Sequence, residues 1–202
     1  MITDCTALIL AGGHSRRMGC DKTALQFDGQ SLLQRMVDLM QTLFPAVLVS
    51  VRQIRADIDV AQVCDEIPDA GPLAGLCAGL ARVETPWVFA VAADMPGLLP
   101  EVVEQLATCR KINQAVVPVI NGFPQPLTAF YATSTLPALK AALARGERSV
   151  HASLIGLNVC RVDETSLRRT DAQLTSFNDL DTPEDVAAWR KMRSAGIQEL
   201  DR

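Results

Sequence analysis

The run Cys5-Thr6-Ala7-Leu8-Ile9-Leu10 leads without a break into Ala11-Gly12-Gly13-His14-Ser15-Arg16-Arg17-Met18-Gly19-Cys20-Asp21-Lys22. A short apolar run that ends in glycines reads as a buried strand followed by a tight turn. The glycines let the backbone turn sharply, so that its N–H groups can converge on an anion. Arg16, Arg17 and Lys22 add fixed positive charge, and the loop has the makings of a triphosphate cradle able to hold leaving pyrophosphate. Glycine content alone fits a solvated Gly-rich turn equally well. Three cations directly after a buried strand favour phosphate. Two standard phosphate motifs do not fit. A Walker A loop needs four residues between its glycines and then Gly-Lys-Ser/Thr, whereas five residues separate Gly13 from Gly19 and Cys20-Asp21 precede Lys22. The dinucleotide fingerprint Gly-x-Gly-x-x-Gly is also absent.

Outward from this loop, strands and helices alternate. Ser31 caps a helix over 31–44, Pro45 ends it, and 46–51 read as a second strand. A short helix and a short strand at 62–64 are expected within 52–70. Pro72 opens a helix to about residue 82, in which Gly75 and Gly79 imply close approach to a neighbour. Residues 87–92 form the most apolar strand, a helix starts at Pro100, and strands follow at 115–119 and 127–131. A helix over 134–145, a strand at 159–162 and an extended piece near Ser176 come next. Thr182, Pro183 and Asp185 mark the start of a last helix that Gly196 should stop, with a loose tail over 197–202. The alternation predicts an α/β fold with a mainly parallel sheet covered on both faces. Ligands should bind outside the carboxyl ends of its strands, after Leu10, Val51, Ala92 and Tyr131.

Composition narrows the field. The 202 residues are 49% hydrophobic and 21% charged, which suits one domain spanning 1–202 with a sizeable core. Aromatics are only 4%, so Leu, Val, Ile and Ala must build that core. A net charge of −4 without a basic run argues against nucleic acid. No apolar stretch approaches a membrane span, and Asp4 stands where a secretory signal carries basic residues, so the expected location is the cytoplasm. The six cysteines lack a Cys-x-x-Cys pair, and His14 and His151 are the only histidines. That spacing argues against zinc and redox motifs, and reduced core thiols are the simpler reading.

Asp94 is the strongest single candidate for chemistry. A carboxylate directly after an apolar strand is costly unless it meets a cation or strong donors, and magnesium favours one or two carboxylates completed by phosphates and water. Capping of the Met95-Pro96 turn is the structural alternative.

At the first loop a resemblance becomes specific. Leu10-Ala11-Gly12-Gly13, Ser15, Arg17-Met18-Gly19 and Asp21-Lys22 resemble the signature loop of nucleotidyltransferases of the molybdenum cofactor guanylyltransferase (MobA) family. Asp65 with Gly71-Pro72-Leu73-Ala74-Gly75 looks like that family's second motif, and Asp94-Met95-Pro96 is similar to its metal-binding Asp-x-Pro. Gln125-Pro126-Leu127 resembles a substrate-side segment, and Asp179-Leu180-Asp181-Thr182-Pro183-Glu184-Asp185 its C-terminal Asn-x-Asn-Thr-Pro-Glu-Glu motif. These motifs follow the expected order along nearly the whole chain.

The resemblance implies a three-layer α/β/α Rossmann-like nucleotidyltransferase fold. It also implies transfer of GMP from MgGTP to the phosphate of molybdenum-bearing molybdopterin. Lys22, Asp94 and Arg16 would be the catalytic set. Leu10, Ala11, Gly12, Gly13, Lys22, Arg52, Asp65, Gly71 and Asp94 would bind nucleotide, and Asp94, with Asp181 as a second contact, would bind Mg²⁺. Partners would be GTP, the molybdenum cofactor, other cofactor-biosynthesis proteins and acceptor molybdoenzymes, with neither nucleic acid nor membrane. Two departures stand out: Asp179 and Asp181 replace asparagines, and Arg52 stands at a base-contacting Asn position, which bears on guanine selection. Bland readings accompany several residues. Asp65 also fits a solvated acid beside Glu66, and Asp181 a support for the following helix. Arg148, a candidate cation for the acceptor, also fits a surface residue, and His151 a locally packed one. A cytidylyltransferase, a sugar-phosphate nucleotidyltransferase and a non-catalytic nucleotide or cofactor chaperone are the alternatives.

Overall fold

A computed structural model describes residues 1–12, 25–27, 29–64 and 70–200 of the chain. The strands are β1 (Cys5–Leu10), β2 (Gln26–Phe27), β3 (Gln30–Ser31), β4 (Ala46–Val51), β5 (Ala61–Cys64), β6 (Trp87–Ala92), β7 (Ala115–Ile120), β8 (Phe123–Pro124), β9 (Thr128–Ala132) and β10 (Val159–Asp163). The helices are α1 (Leu32–Leu43), α2 (Pro72–Arg82), α3 (Pro100–Ala107), α4 (Leu136–Ala144), α5 (Val150–Ser153), α6 (Glu164–Leu167) and α7 (Pro183–Leu200).

One sheet runs in the order β10-β7-β9-β6-β1-β4-β5, with β8 paired to β7 alone. Strands β4 and β6 flank β1 and run parallel to it, β5 runs parallel to β4, and β10 parallel to β7. Only β9 and the two-residue β8 oppose their neighbours in this sheet. The chain leaves β1 toward β4 on one side and returns to β6 on the other, so the strand order reverses at the carboxyl ends of β1 and β6. That reversal is where an open α/β sheet forms its ligand crevice.

Period-two alternation sends β1 side chains to both faces. Ala7 and Ile9 pack with Leu33, Met36 and Met40 of α1 and Val103 and Leu106 of α3. Leu8 packs on the opposite face with Leu73, Leu76 and Leu80 of α2 and Leu139 of α4. Three of the few aromatics, Phe44, Phe89 and Phe130, cluster on the first face with ring centroids 4.8–6.4 Å apart. Gly79 explains how tightly α2 seats: a Cβ there would stand 2.6 Å from Leu8 Cδ1. The three layers predicted from the sequence are thus present. A small third cluster joins Phe27 and Leu32 to Leu180 and Val186, seating the start of α7 near the β2–β3 hairpin.

Several expectations need correction. No helix forms over 52–60; the Gln62 side chain instead bonds to Arg55 N, Arg55 O and Ile58 O and closes an irregular loop. Residues near Ser176 form a 3-10 turn (Thr175–Phe177), not an extended piece, because Asp171 caps them. Helix α7 passes through Gly196 to Leu200; one interior glycine costs only about 1 kcal/mol, and Ala195, Gln198 and Glu199 favour helix. Because β9 is antiparallel, the carboxyl end after Tyr131 lies at the opposite edge, where Ala132 faces Trp87 at the start of β6. That end cannot join the crevice.

The five described cysteines are free thiols; Cys5 and Cys77 lie in the core as expected, whereas Cys64, Cys109 and Cys160 are only half-buried. Burial pushes the Cys5 thiol up to about 12 and the Cys77 thiol up to about 11, so neither is a nucleophile at neutral pH.

Candidate active site

The crevice is assembled from three adjacent strand ends. Beyond β1, Ala11 N donates to Ser50 O of β4 (2.9 Å), and Ala93 N beyond β6 donates to Leu10 O (3.2 Å). On the far side of β6, Ala92 N donates to Leu127 O just before β9 (3.0 Å). Leu10, Ala11 and Gly12 therefore enter the Gly-rich loop beside the turn that carries Asp94, and residues 125–127 flank that turn opposite them. Asp94 is partly buried, two residues beyond the end of β6.

Tyr131 fixes the third side. Its hydroxyl donates to Pro126 O at 2.7 Å, and burial drives its phenol well above the ordinary value, so it stays a donor at neutral pH. Thr128 Oγ1, also buried, reaches Met95 Sδ at 3.0 Å.

Arg52 lies at the mouth of the crevice, exposed at the end of β4, with Nε donating to Gly12 O at 2.7 Å. A guanidinium there buttresses the loop entrance. Gly71 caps α2 in a conformation (φ 74°, ψ −174°) that side chains rarely adopt. A Cβ on it would stand 2.9 Å from Arg148 O, which also accepts from Leu73 N (3.4 Å). The Gly71 turn and Arg148 are therefore brought together, and the Arg148 side chain is exposed. His151 is exposed on α5.

At the other end of the chain, Leu180 N donates to Asp94 O at 3.0 Å, which draws the acidic segment 179–181 alongside the Asp94 turn. Thr182 and Asp185 form a capping box: Asp185 Oδ2 accepts from Thr182 N and Oγ1 (both 2.7 Å) and from Asp181 N (3.1 Å). Thr182 Oγ1 accepts in return from Asp185 N (3.2 Å). Among the described residues no group of three or more His, Cys, Asp or Glu side chains is placed to hold a metal. Gly13, Arg16, Arg17, Lys22 and Asp65 lie outside the described residues.

Sequence reasoning passes over Leu127 as a partner of the β6 end and over the contacts that residues 171–177 make behind the Asp94 turn. The available signals are Asn121-Gly122, whose positive φ values (51° and 80°) make the tight β7–β8 turn, and Gly97, whose Cβ would overlap the Thr175 carbonyl.

A strand end that opens into glycines beside one that ends in a carboxylate suits in-line phosphoryl chemistry, where donors and charge must surround a phosphorus without a protein nucleophile. Fold and site define a nucleotidyltransferase of Rossmann-like fold. Residues 7–159 match the MobA-like NTP transferase domain. A probable molybdenum cofactor guanylyltransferase from Chloroflexus aggregans is 34% identical, covering 90% of this chain and 91% of its own. Another, from Opitutus terrae, is 40% identical over 70% of this chain and 73% of its own. The crystal structure of molybdopterin-guanine dinucleotide biosynthesis protein A from Archaeoglobus fulgidus is 27% identical with a TM-score of 0.83, covering 94% and 99% of the two chains. The chain belongs to the MobA-like NTP transferase family.

Proposed function

We propose that this chain transfers GMP from GTP to the terminal phosphate of molybdenum-bearing molybdopterin, yielding the guanine dinucleotide cofactor and pyrophosphate. The observation that carries the reading is the end-to-end likeness to guanylyltransferases of that cofactor, 34% identical over 90% of this chain. A phosphate oxygen of the acceptor attacks the α-phosphorus of GTP. The bond to the bridging oxygen breaks, and that oxygen leaves with pyrophosphate. Backbone N–H groups from Gly12 and Gly13 would cradle the nucleotide phosphates, while Lys22 and Arg16 neutralise charge that develops toward the leaving group. Arg52 sets the loop entrance through Gly12 O. Asp65 and Gly71 would bind the nucleoside, and residues 125–127 with Arg148 would serve the acceptor.

The donor set fits magnesium. Asp94 and Asp181, on segments joined by the Leu180 N to Asp94 O bond, would supply hard carboxylate oxygens in the number that Mg²⁺ takes from protein when phosphates and water fill the rest of its shell. Mg²⁺ bound there would supply further neutralisation of the phosphates. No described helix is long and apolar enough to cross a membrane.

The test is pyrophosphate release with each nucleoside triphosphate and Mg²⁺, with and without molybdopterin. Turnover with GTP that requires the acceptor is expected. Turnover with CTP alone would overturn the guanylyl assignment, and binding of GTP without any turnover would favour a nucleotide-binding chaperone.

A further inference from the structure

Behind the Asp94 turn lies a segment that the proposed chemistry leaves unused. Residues 171–177 fold around Asp171, which is 4% exposed. Its Oδ1 accepts from Thr175 N (3.0 Å) and Thr175 Oγ1 (3.2 Å), and its Oδ2 from Ser176 N (2.8 Å). Leu174 completes the turn at φ 55°, a left-handed conformation uncommon for leucine. A buried carboxylate with these donors over-determines the local backbone, and what it fixes is Ser176. Ser176 is fully buried, and its Oγ accepts from Leu99 N at 3.1 Å.

Two more contacts join this segment to the same loop. Gly97 approaches Thr175 so closely that a Cβ would overlap the Thr175 carbonyl oxygen and stand 3.2 Å from Trp189 Cη2. Leu180 N holds Asp94 O at 3.0 Å. Loop 94–99 is thus tied at both ends, and pressed in its middle, by residues 171–180. Within the loop, Leu98 N donates to Met95 O at a longer 3.3 Å.

We propose that Asp171 and Ser176 are positioning residues for Asp94: together they form a strap that holds loop 94–99 in the shape that presents the Asp94 carboxylate to the crevice. The inference rests on the proposed function, in which Asp94 holds the metal that meets the phosphates. Groups that orient a metal ligand typically change metal affinity or activity by about 10–100-fold when removed. The strap acts on the loop and touches neither substrate.

Ser176→Ala and the milder Asp171→Asn test the strap, with Thr135→Ala as a control. Thr135 is equally buried and bonds to Ala132 O at 2.7 Å, before α4 and away from the crevice. Hydrogen exchange of the loop 94–99 amides is read first; it should rise in both strap variants and stay unchanged in Thr135→Ala. In the pyrophosphate assay the Mg²⁺ concentration for half-maximal rate should rise about 10-fold in the strap variants, with the KM for GTP at saturating Mg²⁺ little changed. Unchanged loop exchange overturns the inference, as does faster exchange with an unchanged Mg²⁺ requirement or an equal Mg²⁺ shift in Thr135→Ala. A wild-type protein inactive with GTP refutes the proposed function instead, and loop exchange then decides alone whether the strap holds the loop.

Discussion

Gly71→Ala is expected to destabilise the protein by about 1–4 kcal/mol net, from three contributions. Gly71 holds φ 74° and ψ −174°, a region that is nearly glycine-only and costs other residues about 1–3 kcal/mol. The new methyl would lie 2.9 Å from Arg148 O. That oxygen belongs to backbone and accepts from Leu73 N, so it cannot swing aside as a side-chain tip would, and displacing it adds about 1 kcal/mol. The stiffer unfolded chain returns up to about 1 kcal/mol. At this chain length each kcal/mol moves Tm by about 2–4 °C, so the variant should melt roughly 2–16 °C below wild type. Gly146→Ala isolates the strain, because Gly146 has φ 91° and a methyl there would meet no atom within 4 Å. Urea melts of both variants against wild type make the measurement. A Gly71→Ala loss no greater than that of Gly146→Ala would refute the contact with Arg148. A loss below about 1 kcal/mol would refute the strain as well.

Other perturbations probe the crevice and the packing behind it. Asp94→Asn keeps the shape and removes the charge, so pyrophosphate release should fall on the order of 10²-fold or more while the melt stays near wild type; retained turnover would end the metal role of Asp94. Lys22→Ala should cost on the order of 10²-fold in the same assay if it neutralises charge in the transition state. Gly79→Ala drives a methyl into the fully buried Leu8, and overpacking less the gain in helix propensity leaves a loss of about 1–2 kcal/mol by urea denaturation. A stabilised variant would mean that Leu8 repacks. For Asp171, burial opposes the carboxylate, but hydrogen bonds from Ser176 and Thr175 outweigh it and hold the pKa below the ordinary aspartate value. A depressed folded-state value stabilises above the unfolded pKa and is lost as pH falls through the folded one. The stability gap between wild type and Asp171→Asn should therefore hold from neutral pH to about 5 and close below about 3.9. A gap that stays constant into acid would contradict that reading.

Strands β4 and β6 have the bounds expected from their apolar runs, and Pro72 and Pro100 mark the starts of α2 and α3. In these segments local chemistry and tertiary packing agree, so pattern and punctuation suffice. The sense of β9 was hidden because an apolar run carries no direction. Only the Asn121-Gly122 turn, by folding β8 back on β7, hints that the sheet reverses there. The strap was hidden for another reason. Asp171 acts on amides four and five residues ahead, and Ser176 in turn on Leu99, 77 positions from it, and no period or spacing rule encodes such a contact. The place of the crevice was legible from the ends of β1 and β6, where apolar runs stop, and not where the fold supplies the neighbour.

The reversal of β9 bears directly on the reaction. Were β9 parallel to β6, residues 125–127 would start it from the far edge of the sheet. Run antiparallel, they meet the carboxyl end of β6, with Leu127 bonded to Ala92 and Pro126 pinned by Tyr131. Neighbouring strands lie about 4.8 Å apart, so the ends of β1 and β6 and the start of β9 span about 10 Å. On the proposed function the Gly-rich loop takes the donor at one side, Asp94 stands in the middle, and the acceptor segment lies at the other. Reacting atoms must come within about 3–3.5 Å, and a span this short lets one sheet edge bring two phosphates together without a second domain. The net charge of −4 is no obstacle, because Arg16, Arg17 and Lys22 follow β1 closely in the sequence and concentrate positive charge there.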